Sequence, residues 1–172
     1  MDNQLNVRPF VEADAVPVRA LFIKVNRALA PADLKAAFES YIELSLREEI
    51  DRISEYYGER NGGFWVALIE TQVVGMFGLE QSGPGAMELR RVYVDPDRRR
   101  LGIGGKLLQF AEDQCRADNL HRLDLSTSET QPDALSLYRN SGFELVREEV
   151  AEAANNKTIG GGIRRYHFKK EL

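Results

Sequence analysis

Apolar residues recur along this chain with two different spacings. Val18, Leu21, Phe22, Val25 and Leu29 fall at steps of three and four, which sets them on one face of a helix beginning after Asp14, its expected cap. Pro31 interrupts the pattern. It resumes through Phe38, Ile42, Leu46, Ile50, Ile53 and Tyr57, with Glu48, Glu49, Arg52 and Glu55 on the other faces, and predicts one continuous second helix that Gly58 and the segment Asn61 to Gly63 bring to an end. A third helix is expected from Gly104, turning Leu107, Leu108, Ala111 and Cys115 inward until about Asn119. A short fourth begins with Pro132 in its first turn and stops at Ser141 and Gly142.

Between these helical stretches the residues are β-branched and apolar, and the period drops to two. Leu5 to Arg8 reads as a first strand. Phe64 to Glu70 and Val73 to Glu80 read as two more, joined by a tight turn at Thr71 and Gln72, and Met87 to Val94 as another that stops at Asp95 and Pro96. Arg122 to Ser126 alternates Leu123 and Leu125 with polar neighbours. Phe143 to Val150 and Arg164 to Lys169 form a last pair across a loop holding Gly160, Gly161 and Gly162. Consecutive strands suit an antiparallel meander, whereas the later β-α-β unit requires a parallel pair with a crossover helix. The expected fold is α/β of the mixed kind: a mostly antiparallel sheet with one parallel unit and helices on both faces.

At 172 residues the chain suits one domain, residues 1–172. A net charge of −4 argues against a general nucleic-acid binder. The single cysteine, Cys115, cannot form an internal disulfide, and neither a signal segment nor an apolar run of about 20 residues is visible. The reading is of a cytoplasmic protein with neither nucleic acid nor membrane as partner. His121 and His167 lack metal-ligand spacing, so no metal is expected. Trp65 and Phe64 read as core residues, Cys115 as a buried inert thiol.

Chemistry concentrates between Glu88 and Lys106. A strand runs into a loop with Arg98, Arg99 and Arg100, and Gly102, Gly104 and Gly105 then open a helix that carries Lys106. Glycines let backbone N–H groups approach an anion, the helix start adds a favourable dipole, and the basic side chains add charge; together they point to a phosphate or pyrophosphate. The P-loop pattern fails, because Arg100 stands where its first glycine belongs and Leu107 where it needs Ser or Thr. The dinucleotide fingerprint from Gly102 fails at Leu107.

What the segment does match is Arg-x-x-Gly-x-Gly, from Arg99 to Gly104, preceded by the strand Leu89 to Val94 and followed later by Ala134 to Tyr138 and Ser141-Gly142-Phe143. In these motifs it resembles the GNAT family of N-acetyltransferases. Phe64 to Ala67 and Gln131 to Tyr138 are similar to the camello-like branch of that family. Arg100 departs from the glycine of many members. The resemblance implies a GNAT fold, acetyl-CoA as co-substrate and direct transfer to an amine in a ternary complex. It implies that Arg99, Arg100, Leu101, Gly102, Ile103, Gly104, Gly105 and Lys106 cradle the pyrophosphate. Val92, Tyr93 and Val94 would meet the pantetheine arm and Gln131 would contact the cofactor. Tyr138 would protonate the departing thiolate, and Glu88 matches a position where some members carry the base and others none. The acceptor, a small molecule or a peptide, is expected in a pocket built from the first two helices, the loop after Glu80 and the Gly160–Gly162 loop; the acidic residues Glu48, Glu49, Asp51 and Glu55 could favour a cationic amine there. A homodimer through the terminal strands is compatible with the same pattern. A non-catalytic acyl-CoA-binding or regulatory module of this fold is the alternative.

Overall fold

The computed structural model describes residues 4–172. One seven-stranded sheet runs through it in the order β1-β2-β3-β4-β5-β7-β6. The strands are β1 (Leu5–Pro9), β2 (Gly63–Ile69), β3 (Gln72–Gly83), β4 (Ala86–Val94), β5 (Arg122–Ser128), β6 (Glu144–Ala151) and β7 (Ile163–Glu171). Every neighbouring pair is antiparallel except β4 and β5. The helices are α1 (Ala15–Leu29), α2 (Lys35–Glu48), α3 (Ile53–Gly58), α4 (Ile103–Ala117) and α5 (Pro132–Asn140).

Two apolar layers follow from the alternation of the strands. On one face, Ile103, Leu107, Leu108, Ala111 and Cys115 of α4 and Tyr138 of α5 pack on Ala67, Phe77, Leu89, Leu123, Leu125 and Phe168. On the other, Val18, Phe22, Ile42, Leu46, Ile53 and Tyr57 pack on Val66, Leu68, Met76 and Tyr93. The expected mixed sheet with helices on both faces is therefore present. Trp65 stacks on Phe77 with ring centroids 5.1 Å apart, and together with Phe64 it belongs to these layers.

Three local expectations are corrected. The turn between β2 and β3 falls at Glu70 and Thr71, one residue early, because Ile69 pairs with Gln72 and Glu70 takes the left-handed conformation at φ 56°. Asp14 does not cap α1 with its side chain. A 3₁₀ turn (Glu12–Asp14) comes first, and the carboxylate turns back to accept from the Val11 N–H at 2.9 Å and from the Arg8 guanidinium.

The continuous second helix is the largest correction. It breaks after Glu48 into a 3₁₀ turn (Ile50–Arg52) and the short α3. Glu49, expected on a solvated face, is fully buried. The break lets its carboxylate leave the helix surface and reach the sheet, where Arg91 and Arg90 meet it. Glu48 stays exposed, while Asp51 pairs with Arg19 and Glu55 with Arg52.

Candidate active site

β4 and β5 pair in parallel only from Ala86–Leu89 against Arg122–Leu125. Beyond that point they part, and the main chain of β4 from Arg90 to Val94 has no strand on its β5 side. A bulge sits at the parting: Met76 pairs with Tyr93 and Gly78 with Arg90, so Arg91 and Val92 together stand opposite the single residue Phe77. Arg91 holds φ at 57°, a conformation that non-glycine residues adopt only under constraint.

The bulge has a direct use. In a regular strand consecutive side chains point to opposite faces, yet Arg90 and Arg91 both reach Glu49. Arg91 Nε and Nη2 donate to its two oxygens at 2.9 and 3.0 Å, and Arg90 Nη1 lies 3.0 Å away. Tyr57 donates its hydroxyl to Glu49 at 2.8 Å, and the Asn156 amide donates at 3.1 Å. Burial opposes the charge on Glu49, but Arg91 and Arg90 outweigh it and hold the carboxyl at about 2.

Two concavities meet at this seam. The larger, about 730 Å³, is lined by Val92, Tyr93 and Val94 of β4, by Arg98, Arg99, Arg100, Gly102, Ile103 and Gly104 of the loop and α4, and by Gln131, Leu137 and Tyr138. The smaller, about 70 Å³, is bordered by Glu88 to Tyr93, Tyr41, Ser126, Thr127, Gln131, Tyr138, Lys157 and Arg165. Val92, Tyr93, Gln131 and Tyr138 line both.

The basic loop is anchored where it leaves β4. Asp95 accepts from the Asp97 N–H at 3.0 Å and from Lys24 Nζ at 2.8 Å, which ties the exit of β4 to α1. Arg98 donates to the Gln72 side chain at 2.8 Å. Gly102, at φ 71°, precedes the first turn of α4, and no side chain caps the helix there. A Cβ at Gly102 or Gly105 would find no atom within 4 Å, and one at Gly104 only Leu137 Cδ2 at 3.5 Å. These glycines therefore border open space instead of packed protein. With free N–H groups at the helix start and arginines along one wall, that space suits a pyrophosphate. Leu101, Gly105 and Lys106 are exposed and lie outside the residues lining the cleft.

Tyr138 is buried beside Phe143 and Phe168, and it lines both cavities. Burial, and then its neighbour Tyr93, raise its phenol above the ordinary value, so the hydroxyl keeps its proton. Glu88 receives Lys157 Nζ at 2.6 Å, and the same ammonium contacts Glu80 at 2.8 Å. Burial disfavours the Lys157 charge, but Glu88 and Glu80 outweigh it and raise its pKa.

The smaller cavity differs from the expected acceptor pocket. β3 runs on to Gly83, so no loop follows Glu80, and Gly160 to Gly162 do not border the cavity. Tyr41 comes from the second helix as expected, while Lys157 comes from the β6–β7 loop and Arg165 from β7. Arg90, Arg91, Lys157 and Arg165 were not singled out from sequence, and Glu49, expected among acidic residues that could favour a cationic amine, is instead buried against Arg90 and Arg91. The adjacent arginines in a strand were the available signal, since two consecutive charges cannot both face solvent on a half-buried strand.

The sequence pattern of the acetyltransferase (GNAT) family matches residues 31–143. Among curated relatives, N-acetyltransferase 8 of Homo sapiens is 35% identical over 120 residues, covering 64% of this chain and 51% of that protein. The probable N-acetyltransferase camello of Xenopus tropicalis is 34% identical over 120 residues, covering 68% and 55%. The chain thus spans about half the length of these curated relatives. Among solved structures, PaiA N-acetyltransferase from Thermoplasma acidophilum in complex with coenzyme A superimposes with a TM-score of 0.71 at 19% identity, covering 98% of this chain and 99% of that one, which establishes the shared fold. With its split β4–β5 seam, its glycine-opened helix and this match, the chain belongs to the acetyltransferase (GNAT) family.

Proposed function

We propose that this chain is an N-acetyltransferase that takes its acetyl group from acetyl-CoA and passes it to an amine by direct attack in a ternary complex. The observation that carries this reading is the meeting of the two cavities at Val92, Tyr93, Gln131 and Tyr138. A donor held in one and an acceptor entering from the other would come together in the gap between β4 and β5. The names of the relatives, and the coenzyme A held by the Thermoplasma acidophilum enzyme, support the same reading.

Acetyl-CoA supplies a thioester, whose C–S bond breaks as the C–N bond forms. Arg99, Arg100 and the N–H groups around Gly102 to Gly104 hold the pyrophosphate, with Arg98 beside them. The unpaired main chain of Val92 to Val94 holds the pantetheine arm, and Gln131 lies where the arm would enter the seam. Tyr138 donates its proton to the departing sulfur, a role suited to a phenol that burial keeps protonated. Glu88, directly or through water, removes the proton that the amine nitrogen gives up. Tyr138 belongs to the face covered by α4 and α5, whereas Glu88 stands in register with Glu80 on the opposite face. Donor and acceptor protons are thereby handled from opposite sides of the sheet.

The rest of the reading concerns setting. The thiol of Cys115 is buried, and burial pushes it up to about 11, so it does not compete as a nucleophile. A chain whose one cysteine is free suits a reducing cytoplasm. No helix among the described residues is long and apolar enough to cross a membrane. β6 forms one edge of the sheet and exposes Leu145, Val146 and Val150, a surface on which a second copy could pair.

The test is CoA release from acetyl-CoA with a panel of amines, alongside calorimetry of acetyl-CoA on the wild type and on a Gly102→Glu, Gly104→Glu variant. Tight binding lost in the variant, with amine-dependent release, is the expected result. A folded wild type that neither binds nor releases CoA would overturn the reading.

A further inference from the structure

Arg165 occupies the third position of β7 with only 9% of its surface exposed. One hydrogen bond engages its guanidinium: Nη2 donates to Ser126 Oγ at 2.7 Å. The other cations that line the smaller cavity each have carboxylate partners. Arg90 meets Glu49 and Glu80, Arg91 meets Glu49, and Lys157 meets Glu80 and Glu88. No carboxylate among the described residues lies within the 4.0 Å of an ion pair from Arg165. A desolvated cation without a counter-charge is unfavourable, and it persists where something else selects for it.

We propose that Arg165, with Ser126 beside it, receives the carboxylate of the acceptor, so that the amine acetylated by this chain is carried on an amino acid or a closely related amino carboxylate. The proposal rests on the acetyl-transfer reading above and names its substrate class. A guanidinium offers five N–H donors in a fork that fits a carboxylate, and four of these are not engaged by Ser126. The strand register sets the polarity of the site. Glu88 pairs with Asp124, and Ser126 lies two residues further along β5, on the same face as Asp124. One face of the sheet thus presents an acid for the ammonium end and, beyond it, a free cation for the carboxylate end. A cavity of about 70 Å³ suits such a compact acceptor. A polyamine would set a second ammonium against Arg165, and an internal peptide unit would offer it only a carbonyl.

Burial pulls the Arg165 guanidinium below its ordinary value, the expected strain of a cation awaiting its anion. Arg90 in the same wall, with its carboxylates in place, is shifted the other way.

The test compares the 20 common amino acids, each as free acid and as carboxamide, in CoA release with wild type, Arg165→Gln and Ser126→Ala. In parallel, the corresponding N-acetyl amino acids and their amides are titrated by calorimetry into the CoA-loaded protein. The expected result is kcat/KM at least about tenfold higher for an acid than for its amide. Arg165→Gln should erase that preference, with kcat/KM on the acid falling about tenfold more than on the amide, and its Tm should be equal to or above the wild type's. Equal or better use of amides, or an equal fall on acid and amide in the variant, overturns the carboxylate site and leaves the enzyme reading standing. Binding of an N-acetyl amino acid that requires Arg165, without turnover of any amine, upholds the site and counts against the enzyme. Neither turnover nor binding overturns both.

Discussion

Arg91 grips Glu49 with two parallel hydrogen bonds, 2.9 and 3.0 Å long, from the one position in β4 where the backbone turns left-handed. The pair joins the broken end of α2 to the bulge that starts the β4–β5 parting. An arginine at φ 57° would relax toward ordinary strand geometry if the carboxylate released it. The ion pair therefore shapes the wall of both cavities without facing the reacting atoms.

Replacing Glu49 with Gln should destabilise the fold by about 3–5 kcal/mol, because it leaves the buried Arg91 guanidinium without a carboxylate and Arg90 with Glu80 alone. Urea unfolding checks this. The pH dependence follows from the depressed carboxyl. Its contribution is fully present above about pH 4.5 and is lost as pH falls through about 2. Stability of the wild type should thus drop steeply across that window, and the Glu49→Gln variant should show a shallower drop.

Tyr138→Phe preserves the packing against Phe143 and Phe168 and removes only the hydroxyl. It should lower kcat by about 100-fold or more while leaving the acetyl-CoA Kd within about threefold. Glu88→Gln should lower kcat comparably and change the shape of the pH–rate profile, and an unaltered profile would remove Glu88 from the mechanism. Stopped-time assays of CoA release across pH measure both.

At Gly102 the expected effect is one of backbone and not of crowding. The space beside it would admit a methyl group, yet φ 71° is unfavourable to alanine by about 1–2 kcal/mol. Gly102→Ala should fold, with a Tm a few degrees lower, and bind acetyl-CoA more weakly as the loop shifts. Calorimetry at two salt concentrations should show affinity falling with salt in the wild type, as expected where arginines meet phosphates.

Cys115 should resist alkylation at pH 8 in the folded protein, being buried and raised to about 11, and react at an ordinary rate once urea unfolds the chain. Mass spectrometry of iodoacetamide-treated samples distinguishes the two.

Much of this fold was legible because local signals agreed: helical spacing in Val18 to Leu29, alternation in Arg122 to Ser126, and glycines opening the helix after Gly102. The glycine-rich turn that opens α4 was equally legible, since its signals lie within one continuous segment. The smaller cavity was not. Glu49, Asn156 and Lys157 come together with Arg90 and Arg91 only through tertiary contacts. The heptad-like run from Phe38 to Tyr57 carried no sign of a break, because Glu49 leaves the helix to satisfy charges that lie some 40 residues further along. Periodicity reports what a helix buries against apolar neighbours and is silent about a carboxylate pulled inward by arginines.

The parting of β4 from β5 also makes the molecule hinge-like in its connectivity. Strands β1 to β4 form one leaf and β5 to β7 the other, joined along a short parallel ladder. The β6–β7 loop reaches back over the gap like a clasp: the Asn156 carbonyl accepts from Arg90 and Arg91, and Lys157 holds Glu80 and Glu88. Those fastenings all insert into the leaf that bears the bulge. A loop far along the chain thereby sets how wide the two leaves stand apart, and lengthening it by even a few residues would let the slot gape without touching a single group that borders the donor cleft.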